Sequence, residues 1–362
     1  MKRLFSLCSA LTLWGTLLAA NPTDSIVYHN ALDFELQGKA FTHTEGDYDR
    51  LPVWLKDSVR TPVWDLSKCS TGMYVRFRTN ASSINVRYHL LLDRVMNHMA
   101  MTGIKGVDLY MLQNQHDWRY LMTARPKGKV NEMTLVSNMD TVEMREFMLY
   151  LPLYDGIESL YIGVPQQASL AKPAVDLPQK EKPIVVYGTS ITQGGCASRT
   201  GMAYTNILSR KLNRQFINLG FSGNGRQDME VAQAMDSIDA GCIIIDCIPN
   251  CTLDEVKTKT LPFIRHIRKA HPGVPVVMVE GPIFPNQLVD KYLSTYLPSK
   301  NEAFYEAFQT MQAENPHFLY FMKSDDFAFD LEGTVDAVHL TDLGFMRMAE
   351  VMFPMLKRLL NE

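Results

Sequence analysis

The hydrophobic period of this chain changes once, and that change limits what it can fold into. From about Ser25 to Pro165, apolar residues recur at every second position. Met73, Val75 and Phe77 alternate with Tyr74, Arg76 and Arg78; Ile84, Val86, Tyr88 and Leu90 alternate with Asn85, Arg87 and His89. Similar short runs follow at 107–112, 119–123, 146–151 and 160–164, with turn residues between them. Period two sends successive side chains to opposite faces of a strand, so this half reads as an antiparallel β-sandwich. After a stretch carrying Pro173, Pro178 and Pro183 among Lys, Gln and Glu, the pattern becomes unbroken apolar runs separated by helical segments. The runs lie at 184–187, 216–219, 242–245, 274–279 and 318–321. The helices expected between and after them are 203–212, 228–235, 253–269, 299–314 and 341–360. Strand–helix alternation of this kind predicts an α/β domain with a doubly wound parallel sheet. The expected division is therefore a sandwich over 21–168, a stiff solvated connector over 169–183 and the α/β domain over 184–362.

Other features bound the setting. Lys2 and Arg3 precede an apolar stretch from Leu4 to Leu18, then Ala19-Ala20 and polar Asn21. That is the pattern of a signal peptide over 1–20, too short for a membrane span, and it predicts a secreted or periplasmic protein. Net charge is −3 and no basic run appears, which argues against nucleic acid as a partner. Five cysteines follow the leader, an odd number that leaves at least one thiol free. Cys242, inside an apolar run, reads as a small buried hydrophobe. No Cys-x-x-Cys or His-x-x-x-His spacing suggests a structural zinc. Trp54, Trp64 and Trp118 all fall in the first half, where core packing is favoured over a sugar-stacking platform.

The chemistry centres on Ile184-Val185-Val186-Tyr187-Gly188-Thr189-Ser190. Here a strand, a glycine turn and a serine at a helix start place a hydroxyl at the carboxyl edge of the sheet, where open α/β sheets bind ligands. On its own, strand–Gly-x-Ser is more often an ordinary helix cap. A serine nucleophile needs a base, and the base needs an orienting acid. Two histidines have an acid three residues upstream: His317 after Glu314, and His339 after Asp336. The first pair precedes a strand, on the edge away from Ser190. The second precedes the last helix, on the same rim as Ser190, and is the pair expected to serve it. Oxyanion donors can come from two further loops on that rim: 218–225, rich in glycine, and 246–251, which offers the Asn250 amide. Asn250-Cys251-Thr252 also spells a glycosylation sequon, but an amide working in a pocket would not carry a glycan.

The order Gly-x-Ser, glycine loop, Asn loop, Asp-x-x-His resembles the SGNH (GDSL-type) hydrolases across the whole second half. Gly106-Val107-Asp108-Leu109-Tyr110 is similar to the GxDLY-type domain that precedes some bacterial members. The resemblance implies a flavodoxin-like form of the doubly wound sheet and a serine esterase with Ser190 as nucleophile, His339 as base and Asp336 orienting it. It further implies an oxyanion hole made by Ser190 N–H, Gly223 and Asn250, with no metal or organic cofactor. Two positions depart from the family pattern: Thr189 stands where Asp usually precedes the serine, and Ile248-Pro249-Asn250-Cys251 replaces Gly-x-Asn-Asp. The first leaves the triad whole, and the second keeps the amide. The expected substrate is a small acyl ester, acetyl foremost, on a small molecule or glycan. The alternatives are a lipid esterase or lysophospholipase, a thioesterase, and a glycan-binding protein with an inactive hydrolase domain.

Overall fold

The computed structural model describes residues 25–114, 117–175, 181–326 and 331–360. The signal segment expected over 1–20 lies outside them, as does the middle of the connector. The first half contains ten strands: β1 (Ile26–Asn30), β2 (Glu35–Gln37), β3 (Tyr74–Thr79), β4 (Ile84–Leu90), β5 (Asp108–Asn114), β6 (Asp117–Thr123), β7 (Val130–Val136), β8 (Arg145–Tyr150), β9 (Ile157–Pro165) and β10 (Leu170–Ala171). They form two antiparallel sheets, one in the order β1-β9-β4-β7 and one in the order β10-β3-β8-β5-β6, with β2 added beside β3. Val75, Phe77, Val86, Tyr88, Phe147, Leu149 and Ile162 meet between them in one core.

The alternation in β3 is sharper in sequence than in burial, because Tyr74 and Arg76 on the outward face are also buried. That face is covered rather than solvated. Tyr74, Tyr110, Trp118, Met148 and Tyr150 form a cluster there, and Arg76 bonds the Val175 carbonyl at 2.9 Å. Val175 belongs to the expected connector, and so do Leu170 and Ala171, which pair with β3. The chain from Ser169 to Val175 is thus laid on the sandwich, because unpaired backbone and the Glu146 carboxylate are there to receive it.

The second half is a five-stranded parallel sheet of β11 (Ile184–Gly188), β12 (Phe216–Gly220), β13 (Cys242–Asp246), β14 (Val276–Val279) and β15 (Leu319–Met322). Its order, β12-β11-β13-β14-β15, is 2-1-3-4-5 within the domain, the flavodoxin-like order expected. Two helices lie in the first half, α1 (Thr61–Ser67) and α2 (Met101–Lys105). Six follow: α3 (Ser190–Gln193), α4 (Tyr204–Leu212), α5 (Met229–Met235), α6 (Leu253–Ala270), α7 (Leu293–Glu314) and α8 (Asp342–Leu359). Ile184, Val186, Cys242, Ile244 and Val277 face α4 and α8. Val185, Tyr187, Ile243, Ile245, Val276 and Met278 face α5, α6 and α7. Burial on both faces is why these strands read as unbroken apolar runs. Helix α7 starts earlier than the expected Ser299 and runs through Pro298. The Asp290 carboxylate accepts from the N–H groups of Tyr292 and Leu293, both at 2.9 Å, and fixes an earlier start.

The two halves share a core. Phe41, Leu51, Leu55, Val59, Val63, Trp64 and Leu66 pack with the α5–α7 face of the sheet. Of the three tryptophans among the described residues, Trp64 and Trp118 are buried, whereas Trp54 is 55% exposed. All five cysteines among the described residues are buried and free, Cys242 included.

Candidate active site

The site is built on the turn after β11. A Cβ on Gly188 would collide with Thr192 Oγ1 and with the Asp246 carbonyl, so only glycine lets the strand lie this close to both. Thr189 caps α3: its hydroxyl accepts from Ile191 N–H at 3.2 Å, while Thr192 Oγ1 accepts from Thr189 N–H at 3.2 Å. The reciprocal cap explains why threonine serves where the family pattern has aspartate. Ser190 is thereby the first residue of α3 and is 5% exposed. Its N–H belongs to the helical turn that has no carbonyl four residues back to take it.

Beneath the turn lies Asp246, at the end of β13 and in register with Gly188. Its Oδ2 accepts from Thr192 Oγ1 and from Tyr204 OH, each at 2.9 Å. Burial pushes its carboxyl up to about 6 from 3.8, against the opposing pull of those two hydrogen bonds. Sequence reading passes over Asp246, since nothing in its run separates it from a strand end.

His339 and Asp336 arrive from the loop before α8, tied back by the Val335 N–H to His339 carbonyl bond at 2.8 Å. Between them Ala337 has φ 68°, a left-handed conformation costly for a residue with a Cβ. Asp336 Oδ1 accepts from the N–H groups of Val338 and His339, at 3.1 and 2.8 Å. Asp336 Oδ2 lies 2.8 Å from His339 Nδ1, and His339 Nε2 lies 3.0 Å from Ser190 Oγ. Partial burial would raise the Asp336 carboxyl, but hydrogen bonds from the His339 backbone and ring and from Val338 hold it below the ordinary carboxylate range. The acid is kept ionised beside the imidazole. The other acid–histidine pair is elsewhere: Glu314 bonds Arg265, and His317 precedes β15 on the opposite edge.

Gly223 and Asn250 stand on the same rim as Ser190, after β12 and β13. Gly223 has φ 69° and is exposed, with open space where a Cβ would point. The side-chain Oδ1 of Asn250 accepts from Gly225 N–H at 3.3 Å, which leaves the side-chain NH₂ as the end it offers a ligand. The first half holds this loop in place. Arg50, buried, donates to the carbonyls of Asn218 and Gly220 at 3.0 and 2.8 Å. Arg60 bonds Asn224 and Asp228. Tyr154 donates to the Ser190 carbonyl at 3.2 Å, and Gln193 donates to the Leu153 carbonyl at 3.1 Å. His98 sets its ring 5.4 Å from that of His339. Sequence carries no sign of these contacts, because each joins residues far apart in the chain.

The Gly106–Tyr110 motif also has a structural purpose. Asp108, fully buried, accepts from Arg199 and from Gly201 N–H, both at 2.8 Å, and from Thr123 at 2.7 Å. Tyr110 OH accepts from Arg199 at 2.6 Å. The motif clamps the sandwich onto the segment between α3 and α4.

Comparison with known proteins agrees with both halves. The model of the GDSL-like lipase/acylhydrolase family matches residues 181–357, and that of the GxDLY N-terminus of SGNH-hydrolase-type esterases matches residues 26–170. A crystal structure of a candidate GDSL-like lipase from Bacteroides ovatus is 36% identical, with TM-score 0.87, over 93% of this chain and 98% of that one. The chain belongs to the GDSL-like lipase/acylhydrolase family. More distant structures share the fold alone. The salicylyl-acyltransferase SsfX3 of a tetracycline biosynthetic pathway has TM-score 0.75 at 14% identity, over 92% of this chain and 97% of its own. A family two carbohydrate esterase from Clostridium thermocellum, solved with cellohexaose, has TM-score 0.57 at 15% identity, over 80% and 93%. No curated protein matches. No helix among the described residues is long and apolar enough to cross a membrane.

Proposed function

We propose that this GDSL-family protein is an exported serine esterase that removes small acyl groups, acetyl foremost, from carbohydrate esters. The observation that carries the proposal is His339 standing between Ser190 Oγ and Asp336, 3.0 Å from one and 2.8 Å from the other. In this reading His339 Nε2 takes the hydroxyl proton as Ser190 Oγ attacks the ester carbonyl. Asp336 holds the tautomer and stabilises the imidazolium. The oxyanion of the tetrahedral intermediate is held by the N–H groups of Ser190 and Gly223 and by the Asn250 amide. His339 then protonates the departing alcohol, and water, activated by the same imidazole, hydrolyses the acyl-enzyme. No step calls on a cofactor. The carbohydrate assignment draws support from the shared architecture with the cellohexaose-bound esterase.

One observation favours a second reading. Ile283, Leu288, Val289 and Tyr292, in the segment after β14 on the same sheet edge, are 47–85% exposed. Such a surface suits a longer acyl chain. Acetate release from a panel of acetylated polysaccharides, beside a series of p-nitrophenyl esters of increasing chain length, decides between them. Release of acetate with a rate that falls beyond short acyl chains is expected; a rate that rises with chain length and no acetate release overturns the carbohydrate reading.

A further inference from the structure

Three potential metal ligands converge beside the catalytic base. One ring nitrogen each of His98 and His339 and the Cys196 sulfur lie within 4.8 Å of one another. They come from three segments, and each segment is held in place. The loop carrying His98 is anchored where the N–H groups of Leu92 and Arg94 donate to the Asp155 carboxylate, at 2.9 and 2.8 Å. Met99, next to His98, is buried in the same core as Leu340, next to His339. Cys196 N–H donates to the Leu340 carbonyl at 3.0 Å, which holds the thiol beside the histidine loop. Cys196 is buried and forms no disulfide. Neither the esterase mechanism nor the packing of the core requires a thiol facing two imidazoles.

We propose that His98, Cys196 and His339 form an inhibitory site for a borderline-soft divalent cation, zinc foremost. The proposal rests on the assignment of His339 as the base. Two imidazoles and a thiolate are a donor set that zinc accepts, with a fourth position left for water. The three donors need to draw in only modestly to reach bonds of about 2.0–2.3 Å around one ion. As the S–Zn bond forms, the thiol proton leaves to solvent; no electron is transferred. Inhibition follows from geometry. His339 Nδ1 bonds Asp336 and Nε2 bonds Ser190, so whichever nitrogen takes the metal, one hydrogen bond of the triad is lost. Because His98 belongs to the sandwich, the ion also ties the two domains together across the site.

The test uses the full-length mature protein. Zinc is titrated into the esterase assay, and cobalt(II) is titrated into Ser190→Ala with absorbance read for a thiolate–cobalt charge-transfer band. The expected results are inhibition by zinc that a chelator reverses, and a cobalt band that survives in Ser190→Ala and disappears in Cys196→Ser. Each variant's inhibition constant is taken relative to its own activity. Loss of a ligand should weaken zinc at least as much as loss of a ligand's hydrogen-bond partner does, so Cys196→Ser and His98→Ala should each raise the constant about tenfold or more. A triad-dependent esterase that zinc does not inhibit, with no cobalt band, overturns the metal site and leaves the esterase reading standing. A cobalt band without any triad-dependent activity to inhibit sinks the esterase reading instead.

Discussion

Asp108→Ala should loosen the sandwich from the hydrolase domain. Asp108 is fully buried and takes three hydrogen bonds, from Arg199, Gly201 N–H and Thr123, at 2.7–2.8 Å. Removing one partner of a buried charge pair costs about 3–5 kcal/mol, chiefly because the other partner is stranded. Arg199 is not wholly stranded: its side chain is 21% exposed, it still bonds Tyr110 OH, and it lies 3.8 Å over the Tyr120 ring. The lower end, about 3 kcal/mol, is therefore expected. Asp108→Asn keeps an acceptor oxygen and should lose roughly half as much. Urea unfolding followed by tryptophan fluorescence reads the change, since Trp118 lies in the cluster that covers this face of the sandwich. If the domains unfold separately, the transition that separates them is the one that moves. Activity on p-nitrophenyl acetate should fall as well, because Leu153 and Tyr154 brace α3 from the same domain. A variant that unfolds within about 0.5 kcal/mol of the wild type would show that the motif is not a clamp.

Other consequences can be measured separately. Asp246→Asn keeps an oxygen for Thr192 and Tyr204 while removing a buried charge. With its carboxyl raised from 3.8 to about 6, the native state holds more protons than the unfolded chain between those values. This group's contribution to stability therefore falls as pH rises through that window. The variant should gain on the wild type by up to roughly 3 kcal/mol between about pH 4 and about pH 7, and a pH-independent difference in urea unfolding refutes this. Asn250→Ala should lower kcat about 100-fold with a smaller change in KM, since an oxyanion donor acts chiefly in the transition state; an unchanged kcat reduces Asn250 to the support of Gly225. A chain beginning at Lys180 loses Phe41, Leu51, Leu55, Val63 and Trp64 from the hydrolase core and should be insoluble or inactive on p-nitrophenyl acetate. A soluble fragment with the full-length rate would make the sandwich a separable accessory.

What the sequence made legible was whatever its periodicity carried. Unbroken apolar runs marked the buried parallel strands, and the order of loops after them put Ser190 and His339 on one rim. Elements with weak periodicity were harder to see. β7 buries Asn131 and Leu135 but leaves Val130 63% exposed, so its pattern is polar where a strand face should be apolar. The outer face of β3 carries Tyr74 and Arg76, which look solvent-facing until the neighbouring aromatic cluster, Arg210 of α4 lying over the Tyr150 ring, and the 170–175 segment cover them. The supports of the site, among them Arg50, Arg60, Tyr154, His98 and Asp246, act across long sequence separations. Such contacts leave no local signal, and only the folded topology reveals them.

The central claim is that Ser190 carries the acyl group with His339 and Asp336 acting as one unit. Rapid-quench mass spectrometry during turnover of p-nitrophenyl acetate tests it most directly. The acetyl group should appear on the peptide containing Ser190 and be absent from Ser190→Ala. Ser190→Ala and His339→Ala should each lower kcat by roughly 10³-fold or more, and the double variant should cost little further. Acetylation at another residue, or turnover that persists in Ser190→Ala, would contradict the account.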